Sequence, residues 1–179
     1  MVKYLSMSFS NLQLEIKDLP QWEAVQFQPI SKRYLTVIII NYVIVWFFIL
    51  LAAGIVIFNT EDISKTNGLI FGVSVTALFL FFIVMSVLAF KKRGYAIREK
   101  DVLYKAGLLG FHTVIIPYKH IQHVKVKESF ISRMFKLVTL EMYTAGAGRN
   151  MLIQGLERDE AERLQQFIVS KITDESEAN

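Results

Sequence analysis

The chain contains no cysteine among its 179 residues. This excludes a disulfide scaffold, thiol catalysis, and zinc or iron–sulfur sites built from cysteine. Charge is also scarce, since 20% of the residues are Asp, Glu, Lys or Arg whereas 53% are hydrophobic. The 13% aromatic content excludes an intrinsically disordered chain. So high an apolar share indicates that apolar residues are concentrated in particular segments. The meaning of the net charge of +4 depends on where along the chain the charges lie.

Two long windows, 34–60 and 66–90, contain no charged residue. A bilayer core is about 30 Å thick and needs roughly 20 apolar residues as a helix, so each window is long enough to cross it. The rest of the chain is too small to enclose two helices that are apolar all round. We therefore predict transmembrane helices at 34–58 and 68–90, joined by an external loop at 59–67.

The charges that flank the two windows predict an orientation. Basic residues precede the first window and follow the second: Lys32, Arg33, Lys91, Lys92 and Arg93. The connecting loop carries two acidic residues and one basic residue. The positive-inside rule then places both termini, including the N-terminal segment 1–33, on the cytoplasmic side of the plasma (inner) membrane. Tyr34 fits an interfacial position at the inner end of the first helix.

Polar residues within the windows are few and uncharged. Neither window contains Asp, Glu, Lys, Arg or His, which argues against a transporter built from this chain alone. Gly68, Gly72 and Thr76 form a stripe of small residues on the second helix. The stripe is consistent either with a close helix–helix contact or with the ordinary composition of membrane helices.

Residues 91–173 have the pattern of one soluble, β-rich domain, followed by a polar tail at 174–179. Short segments of alternating or β-branched residues predict strands at 95–98, 102–108, 112–117, 124–127, 138–143 and 151–153. Segment 129–136 predicts one helical turn that places Phe130 and Phe135 beneath the sheet, and 145–148 predicts a loop. Consecutive short strands joined by tight turns favour an antiparallel, meandering sheet.

The end of the domain has helical periodicity. Apolar residues recur at spacings of three and four over 158–172, namely Ala161, Leu164, Phe167, Ile168 and Ile172. Gly155 predicts a break before this helix. A small antiparallel sheet needs a cover for its apolar face, and an amphipathic C-terminal helix can supply it.

Four runs in this order carry a resemblance to a known family: Ile116–Val124, Phe135–Leu140, Thr144–Gly146 and Glu160–Leu164. Together with the two predicted spans, they resemble the bacterial pleckstrin-homology domain of the YdbS/YdbT-like two-span membrane proteins, over nearly the whole chain from about Asp18. The resemblance implies a membrane α-helical hairpin plus an α+β/all-β pleckstrin-homology-like domain, in which a bent antiparallel sheet of six to seven strands is capped by a C-terminal helix.

Six strands are predicted after the spans, one fewer than a full pleckstrin-homology fold. The seventh is either hidden in that region or comes from the N-terminal segment. Residues 12–16 alternate apolar and polar side chains and could pair with a sheet edge. The alternative, which we favour slightly, is a disordered lead or an interfacial segment.

Residue patterns typical of enzymes and metal proteins are not found in the sequence. His112, His120 and His123 have no carboxylate at metal-ligand spacing, so we interpret them as surface strand residues. Serine hydrolase, zinc protease and phosphate-loop motifs are absent. We therefore predict no enzymatic activity, no catalytic or metal-binding residues, and no cofactor.

Basic charge is concentrated just after the second window. Residues 91–150 contain twelve basic and four acidic residues, a net of +8, whereas 151–179 contain three and seven, a net of −4. The candidate basic surface consists of Lys91, Lys92, Arg93, Lys100, Lys105, Lys125 and Lys127. It could face the membrane, face an acidic partner, or be an ordinary solvated face. Nucleic acid is excluded as a partner because the basic residues are not interleaved with aromatics.

These patterns predict a membrane-tethered interaction or scaffold module that binds another membrane or envelope protein at the cytoplasmic face. The resemblance implies a longer YdbT-like relative as one such partner, and a second copy of the chain is another. Two alternatives stay open: a domain that senses anionic lipids, and an accessory subunit of a transporter or membrane enzyme complex.

Overall fold

A computed structural model describes residues 25–60, 64–108, 110–144 and 150–177. The elements are β1 (Gln28–Pro29), α1 (Arg33–Asn59), α2 (Lys65–Phe90), β2 (Gly94–Ile97), β3 (Asp101–Ala106), β4 (His112–Pro117), a 3₁₀ turn (Tyr118–His120), β5 (Ile121–Lys127), α3 (Phe130–Met134), β6 (Leu137–Thr144), β7 (Met151–Glu157) and α4 (Arg158–Glu177). The strand predicted at 12–16 and the loop predicted at 145–148 lie outside the described residues.

The two apolar helices form an antiparallel hairpin, and each is long and apolar enough to cross a membrane. Two side-chain hydrogen bonds join them: Trp46 Nε1 donates to Thr76 Oγ1 at 3.2 Å, and Ser86 Oγ donates to the Tyr42 hydroxyl at 2.8 Å. The second helix begins at Lys65, three residues before the predicted start, because the Ser64 side chain accepts from the second backbone N–H of the helix.

The small-residue stripe of α2 is divided between two environments. A Cβ on Gly68 would lie 3.1 Å from Ile57 Cδ1, so Gly68 allows close approach to α1. A Cβ on Gly72 would meet nothing within 4 Å. The stripe therefore contributes to the contact within the hairpin at Gly68 and Thr76, and leaves Gly72 outside it.

The strands form two antiparallel sheets, ordered β1–β2–β3–β4 and β5–β6–β7. Six of the described strands follow the hairpin, as predicted, and the seventh comes from the N-terminal segment. That strand is Gln28–Pro29, which pairs with Tyr95 and Gly94 on β2. A PH-like domain of two sheets and one C-terminal helix is thus confirmed.

The core of the domain lies between the sheets and α4. Leu140 and Ile153 from the second sheet and Val102 from the first are fully buried, together with Ala161 and Ile168 from α4. The predicted C-terminal helix is confirmed from Arg158 onward. It is held over the second sheet by its apolar stripe and by the Gln165 amide, which donates to the Val124 carbonyl at 3.1 Å.

The break predicted at Gly155 is wrong. Gly155 lies within β7, where Val138 pairs with Leu156 and Thr139 pairs with Gln154. Gly155 is therefore the extra residue of a β-bulge, and its φ of +80° is one that glycine adopts without strain. The glycine bends the strand without ending it, so β7 continues to Glu157 and α4 follows directly.

The predicted position of Phe130 is also wrong. The helical turn forms as α3, but the Phe130 side chain is 83% exposed instead of lying beneath the sheet. Phe135, just after the helix, is half-buried. The Ser129 side chain caps α3 by accepting from the Ser132 backbone N–H. The helix is only five residues long, and the side chain of its first residue, Phe130, projects away from the core.

Candidate functional site

The ends of both apolar helices are part of the core of the PH-like domain. Phe90, the last residue of α2, is 8% exposed and belongs to the buried cluster together with Ile30, which lies between β1 and α1. Tyr34, Leu35 and Ile38, in the first two turns of α1, pack against the same cluster. The hairpin therefore enters the domain as packed structure and not through a flexible linker.

The hairpin and the domain approach each other closely at Gly155. A Cβ on this residue would lie 2.4 Å from Tyr34 Cγ and 2.9 Å from Ile30 Cγ2. The Ser31 backbone N–H also donates to the Gly155 carbonyl at 3.3 Å. The Tyr34 ring, which the sequence placed at the lipid interface, thus packs on the bulge of β7, and only glycine leaves room for it.

Tyr95 joins the segment before α1 to the C-terminal helix. Its hydroxyl donates to the Glu160 carboxylate and lies 2.9 Å from Gln28 Oε1. Burial raises the pKa of Tyr95, and the hydrogen bond to the Glu160 carboxylate raises it further. One buried side chain on β2 therefore connects β1 with the first turn of α4.

Three chain connections meet at one end of the first sheet. Pro29 pairs with Gly94, Gly94 pairs with Lys105, and the next pair is Ala106 with His112. The chain enters α1 shortly after Pro29 and leaves α2 shortly before Gly94. The β3–β4 connection accordingly lies at the end of the sheet where both apolar helices join it.

An exposed phenylalanine lies in that connection between two lysines. Phe111 is 61% exposed. The Lys92 and Lys105 ammonium groups lie 5.9 Å and 5.8 Å from its ring centroid, within the range of a cation–π contact. Lys105 also lies 5.7 Å from the Phe27 ring. We call this cluster of Phe27, Lys92, Lys105 and Phe111 the aromatic–basic corner.

A charged cavity of about 470 Å³ lies beside the start of α1. Its lining has four basic and three acidic residues: Arg33, Arg133, Lys136 and Arg158 with Glu128, Glu157 and Asp159. The acidic groups neutralise much of the basic charge, since Arg158 pairs with Glu128 at 2.8 Å and Arg33 with Glu157 at 3.6 Å. Mostly exposed pairs of this kind contribute little to stability, but they fix where the basic groups lie.

The predicted basic residues do not form one surface. Lys91, Lys92 and Arg93 follow α2 directly, and Lys105 lies near them through its pairing with Gly94. The other three are elsewhere: Lys100 in the β2–β3 turn at the opposite end of the first sheet, and Lys125 and Lys127 on β5. Sequence reasoning missed Phe111, Phe130 and Met134 as surface features.

Most sheet edges among the described strands are protected against pairing with another chain. The edge strand β5 carries exposed Lys125 and Lys127, and lysine on an edge opposes strand addition. β7 is contacted by the segment before α1 through the Ser31 bond, and β1 is two residues long and contains Pro29. The remaining edge strand among the described residues is β4.

The outer edge of β4 has no strand partner within the described residues, and its one proline, Pro117, is the last residue of the strand. The strand is six residues long and carries exposed Val114 and Ile115 but no lysine. Beside it is a groove of about 510 Å³, to which β4 contributes His112 and Val114 and β7 contributes Leu152. We call this surface, β4 with the adjoining groove, the open edge.

The histidines lie on the surface of the domain. His112 and His120 are exposed, and the His123 ring stacks on Tyr143 with centroids 4.2 Å apart. Across the described ranges, no group of three or more His, Asp or Glu side chains is placed to hold a metal ion.

Known proteins resemble this chain at the level of family and not of whole proteins. The sequence model of the bacterial PH domain matches residues 34–172. The UPF0699 transmembrane protein YdbT of Bacillus subtilis (strain 168) is 35% identical over 51 residues, 28% of this chain and 10% of that protein. The UPF0699 transmembrane protein YdbS of the same organism is 28% identical over 83 residues, 45% of this chain and 51% of that protein. The chain therefore spans about half of one relative and a tenth of the other, and no solved structure matches it.

Proposed function

This chain belongs to the bacterial PH domain family, and from that premise we propose that it is a non-enzymatic interaction module, fixed to the membrane, which binds an extended segment of another membrane protein along the open edge. The observation that carries the proposal is the unpaired outer edge of β4, which has β3 as its one strand neighbour within the described residues. A free strand edge offers backbone donors and acceptors to an added strand, and a neighbouring groove selects alternate side chains of that strand.

The location of the open edge favours a membrane protein as the partner. The packed junction of hairpin and domain supports this, because it holds β4 in a fixed position relative to the two apolar helices. A partner confined to the same membrane meets the edge at a raised effective concentration, so a modest intrinsic affinity is sufficient. A longer YdbT-like relative and a second copy of this chain both meet this description.

We place the domain and both termini in the cytoplasm, with the hairpin in the plasma membrane. The support is the charge at the hairpin ends, where Arg33 and Lys91–Arg93 lie on the domain side and Lys65 is the basic residue at the other end. Because the chain has no cysteine, single cysteines at Lys65 and Glu99 can be labelled in intact cells with an impermeant maleimide. We expect labelling at 65 in intact cells and at 99 only after permeabilisation; the reverse pattern would invert the orientation.

Photocrosslinking in cells tests the open edge. A photoreactive residue at Val114 is compared with one at Lys125, which is also exposed on an edge strand but lies on the protected edge. We expect position 114 to crosslink to an integral membrane protein or to a second copy of the chain. Mapped crosslinks from 112 and 114 should reach partner residues two positions apart, because strand pairing has a period of two.

Two results would count against the proposal. One is equal or stronger capture from position 125, which would move the binding surface to β5. The other is crosslinking from 114 to partner residues without the two-residue spacing, which would indicate a contact other than strand addition. As a further check, Val114→Lys should abolish capture from position 112 while Lys125→Glu should not.

A further inference from the structure

The most exposed large apolar side chains of the described PH-like domain occur at two connections. Phe111 is 61% exposed, Phe130 83% and Met134 72%. Other exposed apolar side chains of the domain, such as Val169 on α4, are covered to a greater extent. Isolated exposed apolar residues need no explanation, but large ones grouped at one end of a domain mark an interaction surface.

The second connection, α3, lies beside the start of α1. Lys127 at the end of β5 pairs with Thr139, and Leu137 at the start of β6 pairs with Glu157 at the end of β7. Glu157 in turn lies 3.6 Å from Arg33, the first residue of α1. The β5–β6 connection that contains α3 is therefore at the end of the second sheet that adjoins the hairpin, and α3 contacts α1.

Both connections thus lie where the apolar helices leave the domain, one on each sheet. Each carries exposed apolar side chains with basic residues beside them: Lys92 and Lys105 near Phe111, and Arg133 with Lys136 in and after α3. Phe130 and Met134 are four residues apart, so they share one face of the helix.

We propose that these connections are two feet by which the domain rests on the bilayer. Phe111 in the first foot, and Phe130 with Met134 in the second, enter the boundary between headgroups and acyl chains, where aromatic side chains are favoured. Lys92 and Lys105 of the first foot face anionic headgroup phosphates, whereas Arg133 of the second foot lies 3.9 Å from Glu128 and is partly neutralised by it. The bilayer is the occupant because both feet adjoin the ends of the hairpin that crosses it, so that membrane and feet are already adjacent.

The two feet, together with the two helices packed into the domain, would fix the tilt of the domain relative to the bilayer. A single contact leaves the packed unit of hairpin and domain free to tilt relative to the bilayer, whereas contacts on both sheets resist tilting. Phe111 directly precedes His112 of the open edge, whereas the second foot lies at the other sheet, so lipid contact at Phe130 does not depend on what binds the open edge. Contact with lipid also accounts for the exposed position of the Phe130 side chain.

Depth-dependent quenching in nanodiscs tests the feet on the full-length chain. Single cysteines at Phe111 and Phe130 are labelled with bimane, and Glu99→Cys and Leu152→Cys serve as controls. Glu99 lies in the β2–β3 turn and Leu152 at the start of β7, each at the sheet end away from the hairpin. We expect lipids with a nitroxide near the headgroup to quench the label severalfold more at 111 and 130 than at 99 and 152.

Quenching at 111 and 130 no stronger than at the control positions would overturn the proposal. It would leave these side chains as a protein-binding surface, with no lipid contact. Exposed positions tolerate cysteine, and unchanged melting temperatures of the four labelled proteins establish that each is folded. A second arm compares zwitterionic with phosphatidylglycerol-containing discs: quenching at 111 should increase with the anionic lipid, and Lys92→Gln with Lys105→Gln should remove that increase.

Discussion

Each end of the apolar hairpin carries a phenylalanine, but the two phenylalanines have different surroundings. At the domain end, Phe90 is 8% exposed and packs in the core of the PH-like domain, while at the other end Phe58 is 90% exposed. Tyr34 and Ile38 pack against the core as well. The same kind of residue, in the same kind of helix, is therefore protein interior at one end and exposed surface at the other.

This difference determines how rigidly the domain is attached to the hairpin. A domain attached through a flexible linker samples many orientations, whereas a domain whose core includes the helix ends has one. The sheets, including β4, then have a defined direction relative to the two apolar helices. Substitutions that weaken one end of the hairpin more than the other test this account.

The largest effect is expected from Phe90→Ala. Removing a buried phenylalanine ring leaves a cavity and typically costs about 3–5 kcal/mol. Phe58→Ala, the same substitution at the exposed end, should change stability by a small fraction of that. Amide hydrogen exchange of β6 and β7 in nanodiscs measures the free energy of opening of the domain core, and equal effects of the two substitutions would contradict a shared core.

Gly155→Ala should be the next most destabilising change. Alanine is strained at a φ of +80°, and its Cβ would overlap the Tyr34 ring, so we expect a cost of roughly 2–4 kcal/mol. Gly110→Ala is the matched control, since a Cβ there meets nothing within 4 Å. Melting temperatures should fall for the first variant only, and Tyr34→Ala should partly restore the loss.

A smaller effect is expected at Tyr95, with a characteristic pH dependence. Tyr95→Phe removes the hydrogen bond to the Glu160 carboxylate, which should cost about 1.5–3 kcal/mol at neutral pH. The folded-state pKa of Tyr95 is raised, so its contribution is fully present below the ordinary tyrosine pKa of about 10 and is lost as pH rises above that value. Melting scans from about pH 8 upward cover the range in which tyrosine ionises. The melting temperature should therefore decline more steeply with alkaline pH for the wild type than for Tyr95→Phe.

The smallest effect is expected within the hairpin itself. Ser86→Ala removes a hydrogen bond to Tyr42 on the other helix, and such bonds in membranes contribute about 0.6 kcal/mol on average. Ser74→Ala is the control, because the Ser74 hydroxyl donates to Ile70 in its own helix. Resistance of the hairpin to denaturing detergent should fall slightly more for Ser86→Ala, and a larger loss for Ser74→Ala would show that the packing between the helices is misassigned.

Much of the fold could be predicted from periodicity. The run at 112–117 is β-branched and bounded by Gly110 and Pro117, and β4 has those bounds. The apolar stripe from Ala161 to Ile172 identified α4, and the two uncharged windows identified α1 and α2. In each case one regular pattern fixes which side of the element is apolar.

The junction and the feet could not be predicted in the same way. Hydropathy reports transfer out of water, so it does not distinguish lipid from protein interior at Tyr34 or Phe90. The same ambiguity explains Phe130, whose apolar character suggested burial beneath the sheet. The role of Gly155 depends on its φ and on the ring opposite it, and both are set by tertiary contacts.

The rigid union of hairpin and domain can be measured directly as a distance distribution. Because the natural sequence has no cysteine, Lys65→Cys at the far end of the hairpin and Glu99→Cys in the β2–β3 turn allow two nitroxide labels to be placed on the full-length chain in nanodiscs. Double electron–electron resonance should give a single narrow distribution, no broader than the labels themselves produce. A broad distribution, as expected for a domain on a flexible tether, would contradict the account.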